Sequence, residues 1–71
     1  MQNAQFMNGC NESQVTEIIF DACRANESRS ARIVKGHRVS FTLLITGEHE
    51  VCVRNPVGMV IALANVDSCD I

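Results

Sequence analysis

Tryptophan and tyrosine are absent, and three phenylalanines are the whole aromatic content. The interior must therefore be aliphatic, and there is no series of aromatics on which nucleic-acid bases would stack. No apolar run approaches the roughly 20 residues that a membrane-spanning helix needs. The opening stretch Met1-Gln2-Asn3-Ala4-Gln5 has neither the basic nor the apolar part of a secretory signal, so a cytoplasmic chain without membrane attachment is expected. Repeats and low-complexity segments are missing, and no glycine-rich phosphate loop follows a strand pattern.

Cys10, Cys23, Cys52 and Cys69 include no Cys-x-x-Cys pair. In a reducing compartment they are expected to be thiols; in a secreted chain they would suggest two disulfides, and the sequons Asn11-Glu12-Ser13 and Asn26-Glu27-Ser28 would become acceptors. Metal-ligand spacing is also missing. His49 is near Glu48, Glu50 and Cys52, but in a strand it points away from all three, whereas a metal needs converging ligands. No metal and no cofactor is expected. Any thiol could meet either imidazole after folding, and nothing in the spacing selects a nucleophilic pair.

What remains is a chain of 71 residues, 46% apolar and 20% charged, with a net charge of −2. That composition is globular in type, but a chain this short buries only about 60% of the surface its unfolded form exposes. One core is possible, with little left over for an enclosed catalytic pocket, so an enzyme is not expected. Proteins of this size commonly draw stability from a disulfide, a metal, a partner or a second copy.

Residues 1–11 are mostly polar, with Phe6 and Met7 as the large apolar side chains after Met1, and read as an irregular arm before a single domain, 12–71. Asn11 or Ser13 suits a helix cap, and Glu12 and Glu17 suit the first turns. Val15, Ile18, Ile19, Ala22 and Cys23 then follow the spacing of one apolar helical stripe, with Glu17, Asp21 and Arg24 away from it and Phe20 at its flank. Asn26, Ser28 and Ser30 compete for backbone hydrogen bonds and predict fraying from Ala25 to Ser30.

From Arg38 to Ile45 the chain alternates, with Val39, Phe41, Leu43 and Ile45 on one face and Arg38, Ser40, Thr42 and Leu44 on the other. Ile33 and Val34 extend this strand backward, with Gly36 permitting a bulge or tight turn. Thr46-Gly47 turns into a strand from Glu48 to Arg54, in which Val51 and Val53 oppose Glu50 and Cys52. Asn55-Pro56-Val57-Gly58 has the residue order of a type I turn. The run from Met59 to Ala64 then reads as a strand on its β-branched content and preceding turn, although Ala, Leu and Met would also suit a helix. The expected fold is α+β: one N-terminal amphipathic helix packed on a three- to four-stranded antiparallel meander.

A last strand that is apolar on both faces predicts more than one covering layer. With Met59, Ile61 and Leu63 under the helix, Leu44, Val60, Ala62 and Ala64 would lie on the far face as a self-association surface, or the two sets would exchange. Five of the six basic residues, Arg24, Arg29, Arg32, Lys35 and Arg38, fall in one segment opposed only by Glu27, with His37 as an added donor. They read as an anion- or partner-binding surface, or, more plainly, as helix-end complements and solvated loop charges. The expected function is a small non-enzymatic binding or regulatory protein, a homodimer or small oligomer that also occupies another protein. The alternative is a binder of a nucleotide-like anion or of nucleic acid through Arg24 to Arg38.

Overall fold

A computed structural model describes residues 2–25 and 31–67. Along the described chain run β1 (Gln2–Phe6), α1 (Glu12–Ala25), β2 (Arg32–Val34), β3 (His37–Leu43), β4 (His49–Arg54) and β5 (Val60–Val66). The five strands form one sheet in the order β1-β5-β4-β3-β2, and every neighbouring pair is antiparallel. The α+β class holds, with one or two strands more than the expected three- to four-stranded meander and with the helix second in chain order. The helix connects the two outermost strands and lies across one face of the sheet.

The residues at each boundary explain why the elements begin and end there. Asn11 caps the helix: its Oδ1 accepts from the Gln14 amide at 3.0 Å, and its carbonyl accepts from Val15 at 3.0 Å. Glu12 in the first turn and Arg24 in the last complement the dipole. The β2–β3 turn is Lys35-Gly36, both at positive φ (50° and 78°), the two-residue geometry whose twist matches that of the flanking strands. The β3–β4 and β4–β5 connections share another design. In the first, Gly47 N–H donates to Leu44 and Leu44 N–H to Glu48; in the second, Gly58 N–H donates to Asn55 and Asn55 N–H to Met59. Asn55 Oδ1 also accepts from Val57 at 3.1 Å and Met59 at 2.9 Å, which pins the expected turn.

The helical stripe is the core: Val15, Ile18, Ile19, Ala22 and Cys23 are buried against Val39, Val51, Val53, Ile61, Ala62 and Val66, with Phe6, Cys10, Val34 and Phe41 packed at the margin. Phe20 flanks the stripe and is 46% exposed.

Four expectations need correction. The first concerns the expected irregular arm, in which Gln2–Phe6 is an edge strand on β5; Asn3, Ala4 and Gln5 are exposed there, and Phe6 reaches the core. Second, Arg32–Val34 is a separate strand and not a backward extension of β3, because Gly36 makes the tight turn of the two expected alternatives and Lys35-Gly36 reverses the chain. Third, β3 stops at Leu43; Leu43 is exposed, Ile45 sits in the turn, and neither joins Val39 in the core.

The fourth correction concerns β5. Arg54 pairs with Val60 and Val53 with Ala62, so Ile61 is an extra residue in a bulge. A bulge changes the alternation, and both Ile61 and Ala62 turn under the helix, followed by Ala64 and Val66. Ala62 and Ala64 are 1% and 2% exposed and so do not lie on the far face. Of that expected set, Val60 lies there, half-buried, and Leu44 is in the β3–β4 turn. Leu63, expected under the helix, takes a place on the far face instead.

The bulge also fastens the chain between β1 and the helix. The Ile61 carbonyl accepts from Met7 N–H at 3.0 Å and from the Cys10 thiol at 3.3 Å, while Asn8 Nδ2 donates to the Val60 carbonyl at 2.8 Å. Asn8 and Gly9, both at positive φ, make the reversal that allows these contacts.

Candidate interaction surface

Strand alternation places one set of side chains on the face away from α1, and the strand register orders them in three rows. The first row is Ile33, Arg38, Arg54 and Val60. The middle row is Ser40, Cys52, Leu63 and Gln5, and the third is Thr42, Glu50 and Asn65. Among the described residues no element covers this face, since α1 contacts the sheet only from the other side. Ser40, Cys52, Val60, Leu63 and Asn65 are half-buried by their neighbours, and Ile33 is 68% exposed.

The charges on this face are segregated. Arg38 and Arg54 are directly opposed on adjacent strands at one end, an arrangement in which like charges repel. Arg54 turns its Nη1 to the Gly58 carbonyl at 3.0 Å, whereas Arg38 has no carboxylate partner among the described residues. Glu50 lies at the other end, between Thr42 and Asn65, and it too makes no ion pair there. Glu50 and Arg54 are four positions apart on β4, roughly 13 Å at strand rise, too far for one to neutralise the other.

Of the described residues of the basic segment, Arg38 is set apart from the others by the sheet. Arg24 pairs with Asp21 on the helix, and Lys35 reaches from the β2–β3 turn to Glu17 of the helix at 3.3 Å. Arg32 is opposite Val39 and so on the helix side of the edge strand, while Arg38 is on the other side of the sheet. His37 Nδ1 lies 2.9 Å from the Lys35 carbonyl; a carbonyl only accepts, so Nδ1 is the donor of this contact. Arg29 and Cys69 lie outside the described residues.

His37 also lines a shallow cleft of ≈ 150 Å³ at the start of the helix, together with Asn8, Cys10, Asn11, Gln14 and Asn55. Cys10 and His37 thus line one cleft, a thiol and an imidazole that sequence spacing did not select as a pair. Its volume is below the roughly 300 Å³ at which ligand pockets begin, and the Cys10 thiol is spent on the Ile61 carbonyl. His49 is buried on the helix side of β4, while Glu50 and Cys52 face the opposite way, and no cluster of three metal-ligating side chains occurs among the described residues.

The residues that sequence reasoning underused are Arg54, Glu50, Cys52 and Leu63. For the first three the signal was present in the alternation of β4, where each opposes a buried valine or histidine. For Leu63 it was not, because the bulge that turns it outward leaves no mark on composition. Among the described residues no helix is long and apolar enough to cross a membrane. Set against known proteins, the chain matches no family model, no curated protein and no solved structure.

Proposed function

We propose that this chain is a non-catalytic binding protein that acts as a homodimer, with the uncovered face of its sheet as the contact surface. One observation carries the reading: among the described residues a helix covers one side of the five-stranded sheet, and the other side holds Cys52 and Leu63 at its centre, with Arg38 and Arg54 beside the apolar Ile33 and Val60 at one end and Thr42, Glu50 and Asn65 at the other. An apolar centre with a charged rim is the anatomy of a protein interface. The small cleft supports a role without catalysis, because it leaves little room to enclose a substrate. Such a protein acts by occupying surfaces, as small inhibitors and adaptors do.

The extent of the face bounds the affinity. Five strands at ~4.8 Å spacing and about six residues of rise give a planar footprint of roughly 400 Å² per copy. With side-chain relief, two copies bury about 1,000 Å², the lower end of specific interfaces, so a reversible dimer with a Kd on the order of micromolar is expected. The test is molar mass by light scattering after size exclusion, in reductant, across concentration and salt. The expected result is a concentration-dependent shift from the 7.8 kDa chain mass towards twice that value. A single 7.8 kDa species up to about 1 mM at every salt would overturn the reading.

A further inference from the structure

Given a dimer through this face, we infer its orientation: the two copies pack with a two-fold axis running across the strands, along the row Ser40, Cys52, Leu63 and Gln5. The inference rests on the homodimer reading and deepens it.

A face-to-face pair related by a two-fold rotation has its axis in the plane between the sheets, because only such an axis turns one face over onto the other. Sheets packed face to face align their strands within about 30°, so the axis lies close to one of two directions. An axis along the strands sets the Arg38 and Arg54 end of one copy against the same end of the other. Four guanidinium groups would then meet in a desolvated contact, and the two Glu50 carboxylates would meet at the opposite end. An axis across the strands exchanges the ends. Each Arg54 then lies over Glu50 of the second copy, and each Arg38 over Thr42 beside it. The residues on the axis meet their own copies: Ser40, Cys52 and Leu63 are small or apolar, and the exposed, uncharged Gln5 lies at the end of the row.

Three features agree with this arrangement. Arg38 and Glu50 have no ion-pair partner among the described residues, so both are available to a second chain. The two ends are symmetrically placed about the middle row, two residues away along β4 in each direction. The two arginines face each other across adjacent strands, a repulsion that a carboxylate from the second copy relieves.

The test is charge exchange between two variants, Glu50→Arg and the double variant Arg38→Glu with Arg54→Glu. All three positions are exposed, so each variant should keep the far-ultraviolet circular dichroism of the natural chain. Each variant alone should dimerise roughly tenfold or more weakly at low salt, since like charges now meet at both ends. Mixed in equal amounts, they should form a heterodimer, measured by light scattering and identified by native mass spectrometry. If either variant alone dimerises as tightly as the natural chain, or if the mixture gives no heterodimer, the orientation is wrong while the homodimer reading stands. If the natural chain itself stays monomeric, the underlying reading fails, and the face is left to a partner of another kind.

Discussion

Replacing Ile18 with alanine tests the central claim about packing, that the helix stripe and the sheet share one core. Ile18 is fully buried at the middle of the stripe. The substitution removes three side-chain carbons, worth about 0.8 kcal/mol each in transfer free energy, and leaves a cavity that a sheet of short valines fills poorly; together about 3–4 kcal/mol is expected. A chain of 71 residues has a stability on the order of 4–11 kcal/mol, so the variant sits near the limit of folding. Lacking tryptophan and tyrosine, the protein is best followed by circular dichroism at 222 nm in urea, at one fixed concentration because dimerisation adds to apparent stability. With a slope of about 1 kcal/mol per molar, the midpoint should fall by roughly 3 M. Phe20→Ala is the comparison: it removes a larger side chain from the same helix at a half-exposed position, and its effect should be about 1 kcal/mol. Equal midpoint shifts for the two variants, or a shift below about 1 M for Ile18→Ala, would refute the packing argument.

Two further outcomes follow from the chain reversals. Asn11→Ala removes the cap on Gln14 and should lower stability by about 1 kcal/mol, with Asn11→Asp retaining most of it, measured in the same urea titration. Gly58→Ala places a methyl group in open space at a φ of +95°, so its cost of about 1–2 kcal/mol is backbone strain alone, and a thermal melt should fall by roughly 5–10 °C.

Legibility from sequence followed the physical origin of each element. The helix, β3 and β4 were readable because each presents one buried and one wet side, and periodicity records that difference. The turn at Asn55 was readable because its residues act locally. The strand β1 was not, since Gln2, Asn3, Ala4 and Gln5 carry no alternation and the strand exists only because β5 offers it an edge. The bulge at Ile61 was hidden for a related reason: in a run as uniformly apolar as Val60 to Ala64, a one-residue shift of register alters no pattern. The basic segment shows the converse. Its residues are neighbours in sequence, but among the described ones strand alternation puts Arg38 on the face away from Arg32, while Arg24 and Lys35 pair with carboxylates of the helix.

The pairing of β1 with β5 bears on how the molecule assembles. Almost the whole described chain separates these two strands, whereas β2 to β5 are joined in succession by short reversals. Closing a long loop costs more entropy than closing a hairpin, and distant pairings are slow to form, so the four-stranded meander is expected to collect first and β1 to dock last. During synthesis the strand made earliest must wait for the one made latest. In that interval the outer edge of β5 has its hydrogen-bonding groups open and its bulge unfastened, so a nascent or partly folded chain is most prone to pair with the wrong neighbour along that edge.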